Sequence, residues 1–299
     1  MLISFPVSAT ITTKEADYAL LMAPATKYIQ PKLVAYTTVE AYTKTMFSDN
    51  EKIRISSGFQ NYKVVKNLAD MGNPYAQYNA SLYRIINQKY FDFEFGESLL
   101  LMKKAADAGV LDAKYSLGML YQSRSLEISK LLNTHDYNLK EINKNSQRLL
   151  DLSYQYVLEA AFKGHEPSFM MSCNLYVRGV FLERSSKKAG LCYANAIRNY
   201  QAPAAYGILA KLYFDDPVFA TAEYERAGFE LAKTGALLGD TFAMSVLGLQ
   251  MIYPEYSKPY DTERGIQLIK GAYAFNDPTA ILYAKTYFDG SWRLLKPAR

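Results

Sequence analysis

The sequence is dominated by an internal repeat with a period of about 37 residues. Each copy has an anchor residue and a small residue four positions later, and most have a small residue at position +9 and an aromatic residue at +12. The clearest copy contains, in order, Ala105, Ala106, Gly109, Ala113, Leu117, Gly118 and Tyr121. The anchors are Gly72, Gly109, Gly164, Gln201 (with a register open to one residue), Gly239 and Asn276. Their spacings are 37, 55, 37, 38 and 37 residues, so one step alone is irregular, and it is longer by 18.

Elementary helix chemistry accounts for this pattern. The anchor residue ends one helix in the left-handed backbone conformation. Glycine adopts this conformation most easily and asparagine is the next most common residue there, as at Asn276. Positions +4, +8 and +12 form one stripe of the following helix, and a small residue at +9 lets a second helix approach closely. A pair of helices in about 37 residues cannot bury its apolar face alone, so the pairs must stack. The sequence therefore predicts an all-α fold, a right-handed α-solenoid of stacked helix pairs.

These residues resemble the Sel1-like repeat, a relative of the tetratricopeptide repeat, over about residues 55–290. The resemblance is strongest in the copies that begin at Gly109, Gly164 and Gly239. The glycine that this family places three residues after the aromatic position is present as Gly179 and Gly290, and it is missing from two other copies. The resemblance implies a protein-binding adaptor in which the first helix of each repeat lines the concave side.

The repeat also divides the chain. Residues 1–54 carry no anchor and are predicted to form an N-terminal helical cap, residues 55–290 the solenoid, and residues 291–299 a C-terminal cap or tail in which Trp292 packs over the last repeat. The irregular step corresponds to a polar insertion at about 122–149. It is open to two interpretations, a binding element or a solvated helix extension with a polar loop at Asn133–Asn138.

Composition removes several classes of protein. Two cysteines, Cys173 and Cys192, are too few for a disulfide framework, and both are expected to pack in the core. With two histidines, His135 and His165, the sequence predicts no metal site, and it predicts no cofactor. Hydrolase, phosphate-loop and dinucleotide motifs are absent, so no catalytic residue is assigned and the chain is expected not to be an enzyme. A net charge of +5 in scattered patches makes nucleic acid an unlikely partner.

Tyrosine marks the candidate binding surface. There are 26 tyrosines against 15 phenylalanines, more than the repeat stripe uses, and tyrosine offers a large contact area with a polar tip. Positions +3, +7 and +11 of the first helices lie near one another on a second face. The predicted partner-binding residues on this face are Tyr75, Asn79, Tyr83, Ser116, Met171, Ile208, Phe242, Gln250, Tyr283 and Tyr287.

Two functions follow. The leading hypothesis is a non-catalytic scaffold or adaptor that binds another protein on the concave face, in its most concrete form a bacterial immunity protein that neutralises a toxin or effector. The alternative is a small-ligand or hydrolytic protein that takes peptidoglycan or sugar fragments in the inner groove. No segment reaches the roughly 18 apolar residues of a membrane span, and the N-terminus lacks a basic signal region, so a cytoplasmic protein is expected.

Overall fold

The computed structural model describes residues 65–86, 95–130, 139–254 and 261–295, together with Leu21 and Tyr62. The predicted N-terminal cap lies outside the described residues apart from Leu21, as do the loop at 131–138 and the end of the tail at 296–299. The chain divides into two compact units. The first unit contains Tyr62 and the described residues from 65 to 172. The second unit contains Leu21 and the described residues from 173 onward. The three predicted domain boundaries stay predictions.

The described residues of both units fold into successive helices. The first unit contains α1 (Pro74–Ile86), α2 (Phe95–Asp107), α3 (Leu111–Lys130) and α4 (Leu139–Phe162). Helix α5 (Glu166–Arg178) spans the division. The second unit contains α6 (Ser186–Tyr200), α7 (Pro203–Asp215), a short 3-10 helix (Pro217–Phe219), α8 (Ala222–Leu237), α9 (Thr241–Ile252), α10 (Thr262–Ala274) and α11 (Pro278–Tyr287). Odd-numbered helices are the first helices of the repeats and even-numbered helices the second.

Helices stack within each unit as the repeat predicts. In the first unit α1 packs on α2, α2 on α3, and α3 on α4. In the second unit α7 packs on α8, α9 packs on α10, and the first helices α7, α9 and α11 pack in series. Apolar side chains from consecutive repeats share one core, as in the cluster around Ile252, Ile269 and Ala280. The predicted fold class, an all-α solenoid of stacked helix pairs, is confirmed.

The six anchors are left-handed, as predicted. Their φ angles are 90° for Gly72, 96° for Gly109, 84° for Gly164, 53° for Gln201, 86° for Gly239 and 58° for Asn276. The Gly109 turn shows how the cap works, because the Gly109 N–H donates to Ala106 O at 3.0 Å and the Val110 N–H donates to Ala105 O at 3.1 Å. These bonds satisfy carbonyl groups that the end of a helix leaves without a partner.

Position +9 is where the two helices of a repeat cross. A Cβ atom added to Gly118 would lie 2.7 Å from the Val157 side chain, and one added to Gly248 would lie 2.7 Å from Gly265 O. Ser81 is fully buried and donates its hydroxyl proton to Ser98 O at 2.7 Å. The small residue predicted at +9 is confirmed, and its reason is the closeness of the second helix.

The cysteines correct the sequence analysis. Cys173, at position +9, and Cys192 were expected to be separate core residues, but they form a disulfide with a Cα–Cα distance of 5.5 Å, and both are fully buried. The physical reason is the crossing itself, because it brings the two helices close enough for a pair of cysteines to bond.

The insertion lengthens both helices of its repeat. Residues 122–130 continue α3, and residues 139–149 form the first turns of α4. Ser125 and Ser146 are buried between them, with 2.8 Å between their hydroxyl oxygens. Each hydroxyl also donates to the other residue's backbone carbonyl, at 2.8 and 3.0 Å. The helix extension is confirmed, and the loop at Asn133–Asn138 lies outside the described residues.

Residues 288–295 fold back on the last repeat. Phe288 and Leu294 form an isolated antiparallel bridge. The Trp292 ring lies 5.3 Å from Phe288 and 5.4 Å from Tyr273, centroid to centroid, and Lys270 Nζ lies 5.5 Å from its centre. The predicted packing of Trp292 over the last repeat is confirmed.

Candidate functional site

In the first unit, the predicted face contains side chains that are partly covered by their neighbours. The predicted residues there are half-buried: Tyr75, Asn79, Tyr83, Ser116 and Met171. Tyr83 stacks on Tyr62 with 4.9 Å between ring centroids. The Ser116 hydroxyl lies 3.2 Å from the hydroxyl of Tyr78, which joins α3 to α1. The first unit therefore presents a row of half-buried tyrosine, amide and hydroxyl groups.

In the second unit, the predicted residues divide by burial. Ile208, Phe242, Gln250 and Tyr287 are half-buried, whereas Tyr283 is only 8% exposed and belongs to a core cluster. The Gln250 amide donates to Glu225 Oε2 at 3.3 Å, and Glu225 is itself buried. Tyr283 therefore contributes to the surface through its hydroxyl group rather than through an exposed ring.

Lys211 on α7 connects two repeats across this face. Its ammonium group forms an ion pair with Asp215, one turn further along α7, and interacts electrostatically with the Tyr283 hydroxyl on α11. The side chains of Lys211 and Asp215 remain 39% and 57% exposed. Helix α9 lies between α7 and α11 in the series. The interaction between Lys211 and Tyr283 therefore shows that these two side chains lie on the same side of the three helices.

Tyr283 also connects this ion pair to two further tyrosines. The Tyr287 ring lies 5.9 Å from Tyr283 and 5.6 Å from Tyr253, centroid to centroid. Lys211, Asp215, Tyr253, Tyr283 and Tyr287 are called the Lys211 cluster below.

The ionisation of the cluster follows from its contacts. Burial raises the pKa of the Tyr253 and Tyr283 hydroxyls above their usual value. Burial would lower the pKa of Lys211, but its hydrogen bond to Asp215 and the neighbouring charges outweigh burial and raise it. At neutral pH Tyr253 and Tyr283 are therefore neutral phenols, and Lys211 is a charged ammonium group.

The repeat positions predicted only part of this cluster. Tyr283 and Tyr287 were predicted, at +7 and +11, whereas Lys211 at +10 and Asp215 and Tyr253 at +14 were not. Positions +7, +10, +11 and +14 share one face of a helix, so extending the row by one turn would have found these residues. The contact between Lys211 and Tyr283 had no signal in the sequence, because it depends on how three helices stack.

A serine, a histidine and an aspartate also come together in the first unit. Ser168 Oγ lies 2.8 Å from Nδ1 of His165, and Asp112 Oδ1 lies 3.3 Å from Nε2. A nucleophilic serine must reach its substrate, whereas Ser168 is fully buried. Its backbone N–H also points to Nδ1 at 3.3 Å, so the imidazole caps the start of α5. The arrangement joins α3 to α5 and does not favour hydrolysis.

In the described ranges, no three histidine, cysteine, aspartate or glutamate side chains lie close enough to hold a metal ion. None of the helices in those ranges is long and apolar enough to cross a membrane.

Comparison with known proteins agrees with the fold. Family models gave no match to the sequence, and the curated proteins gave none either. Among solved structures, a Sel1 repeat protein from Oxalobacter formigenes is 20% identical with a TM-score of 0.53, over 72% of this chain and 79% of that one. The protective antigen c5321 of uropathogenic Escherichia coli strains, which displays an SLR fold, is 16% identical with a TM-score of 0.40, over 76% of this chain and 52% of that one.

The structure and the first of these likenesses define the class, an α-solenoid protein made of helix-pair repeats. The chain has the fold of a Sel1 repeat protein, as the residue pattern implied.

Proposed function

We propose that the chain is a non-catalytic adaptor that binds another protein along the inner face of its first helices. The observation that carries this proposal is the Lys211 cluster, in which a row of three tyrosines begins beside a partly exposed ion pair. Tyrosine rings supply contact area at protein interfaces, and a charged pair beside them adds direction to recognition. The fold supports the proposal, since stacked repeats create extended binding surfaces.

The ten predicted residues remain the proposed contact surface, with one change of role. Tyr283 is buried, so it acts by holding Lys211 in place, and Tyr253 joins Tyr287 as a ring that contacts the partner. We propose the general adaptor role rather than the narrower toxin-neutralising one, because no feature of the described residues selects a toxin as the partner.

The disulfide bears on where the protein works. Thiols of cytosolic proteins are kept reduced, whereas disulfides persist in the periplasm and outside the cell. Because Cys173 and Cys192 are bonded and fully buried, we propose that the protein matures in an oxidising compartment. This proposal replaces the cytoplasmic location expected from the sequence.

Affinity capture from the source organism tests the binding role. We would compare the unaltered protein, a variant with Tyr253→Ala and Tyr287→Ala, and a matched variant with Tyr273→Ala. Tyr273 is 44% exposed on α10, outside the first helices. We expect one partner protein to be captured by the unaltered protein and the Tyr273 variant, and to be lost from the double variant. Crosslinking and mass spectrometry should place the partner against α9 and α11.

Two results would contradict the proposal. A partner that the double variant retains would move the binding surface away from the Lys211 cluster. Binding of peptidoglycan or sugar fragments with no protein partner would favour the small-ligand function instead. Circular dichroism of each variant must first show unchanged helix content.

A further inference from the structure

Position +6 of the first helices is a stacking position in the first unit. The Tyr78 hydroxyl on α1 contacts the hydroxyl of Ser116 on α3 at 3.2 Å. The Tyr115 ring on α3 lies 5.5 Å from the ring of His165, which caps α5. Both +6 residues therefore contact the repeat that follows their own.

The second unit uses position +6 in the same way. At Gly207 on α7, an added Cβ would lie 2.9 Å from the Phe242 ring on α9. The Ser245 hydroxyl on α9 donates to Asp277 Oδ1, the cap of α11, at 2.8 Å, and Ser245 is fully buried. Each of these repeats is covered at +6 by the next repeat's first helix or its cap.

On α11 the same position is exposed. It is occupied by Leu282, which is 59% exposed, and Thr286 one turn further is exposed as well. The described residues that follow α11 pack elsewhere, since Trp292 lies against Phe288 and Tyr273. The α11 face, defined here by Leu282, Lys285 and Thr286, therefore continues an established helix–helix interface and is exposed in the part of the chain that the structure describes.

The charge of the α11 face restricts what can cover it. Lys285 is the one charged residue of α11, and it is exposed. A second copy that packed antiparallel around Leu282 would place no acidic side chain of the other α11 opposite Lys285, because α11 has none. A partner helix with acidic side chains pairs with Lys285 instead.

We infer that the α11 face docks an amphipathic helix of another protein, apolar along one stripe and acidic beside it. That helix would lie where the first helix of a following repeat would lie, and it would cover Leu282 as α9 covers Gly207. The inference is independent of the inner-face function, since Leu282 lies on a stacking position rather than in the Lys211 cluster.

The test uses the full-length protein and two stapled helical peptides. Both peptides carry the same alanine and leucine stripe, flanked by glutamates in one and by lysines in the other. We expect the glutamate peptide to bind more tightly in fluorescence anisotropy. Leu282→Glu should weaken that binding about tenfold or more, which corresponds to about 1.4 kcal/mol. Lys285→Glu should reverse the preference between the two peptides.

A matched variant isolates the surface. Leu191 on α6 is 60% exposed, against 59% for Leu282, so Leu191→Glu makes the same change at a different place. It should leave peptide binding unchanged, and both glutamate variants should keep the helix content of the parent protein.

Three outcomes would overturn the inference. They are no binding of either peptide, an equal loss of binding for Leu191→Glu and Leu282→Glu, and an unreversed preference for Lys285→Glu. A dimer in sedimentation equilibrium that Leu282→Glu dissociates would also overturn it, because the face would then belong to a second copy of the chain.

Discussion

Two helix crossings in the second unit bring helices together by different means. Where α9 meets α10, Gly248 and Gly265 lie so close that a Cβ on either would come within 2.7 Å of the other's carbonyl oxygen. Where α5 meets α6, Cys173 and Cys192 occupy the crossing and are joined covalently, with 5.5 Å between their Cα atoms. The first crossing depends on the absence of side chains, and the second depends on oxidation. The comparison shows that the helix crossing at position +9 can be stabilised either by close backbone packing or by a disulfide bond.

The largest effect should come from adding a side chain to the glycine crossing. Gly248→Val would force its new methyl groups against the Gly265 carbonyl group and against Ile269. The Gly265 carbonyl is part of the backbone, so it cannot move aside as a flexible side chain can. We expect the free energy of unfolding to fall by more than about 3 kcal/mol, at the upper end of overpacking costs. Urea denaturation followed by circular dichroism measures this, with the smaller Gly248→Ala as a second variant.

Gly290 offers the control for that experiment. A Cβ there would meet nothing within 4 Å, so Gly290→Ala should change stability by less than about 0.5 kcal/mol. If Gly248→Val were as mild as Gly290→Ala, the close backbone contact between α9 and α10 would be wrong.

The second effect should come from removing the bond at the cysteine crossing. Replacing Cys173 and Cys192 by alanine frees a loop with a sequence separation of 19, which should lower the free energy of unfolding by about 3 kcal/mol. Urea denaturation with and without reductant tests this. Reductant should bring the unaltered protein to the stability of the double alanine variant and leave that variant unchanged. A reductant-independent unfolding curve for the unaltered protein would show that the bond does not form.

The smallest effect should appear at a crossing of the first unit, where a hydrogen bond takes the place of the disulfide. Ser81→Ala removes the buried bond to Ser98 O and should cost about 1 kcal/mol in the free energy of unfolding. Ser123→Ala, at an exposed position on α3, is the matched control and should have almost no effect. Equal stability of the two variants would mean that the Ser81 hydroxyl contributes nothing to the crossing.

The features that the sequence predicted are those with local causes. A left-handed cap depends on one residue and its immediate neighbours, so Gly109 and even Asn276 could be recognised from the chain alone. The small residues at +9 could be recognised for a similar reason, because the repeat presents the same crossing several times over.

The features that the sequence did not predict arise between helices that are distant in the chain. Cys192 lies 28 residues after its anchor Gly164, whereas Gly265 lies 26 residues after its anchor Gly239. Because these spacings differ, the sequence does not show that both residues occupy the same helix crossing, and only the folded structure does. Lys211 interacts with Tyr283 because three first helices stack in series, and the spacing within a single repeat cannot predict that stacking. Tyr283 was predicted as a contact residue, but it is buried by the helices packed around it.

The helical hairpin made by α3 and α4 shows how such a chain can change length. In the repeats at Gly72 and Gly239, the residue at +9 meets one at +26. In the repeat at Gly109, the residue at +9 is Gly118, and it meets Ser153 at +44. Position +44 is 18 residues beyond +26, and 18 is also the number of residues by which the spacing from Gly109 to Gly164 exceeds 37. All of the added length therefore lies beyond the crossing, in the two arms that Ser125 and Ser146 hold together. Turns can be gained or lost at that end of the hairpin while the spacing of the repeats stays the same.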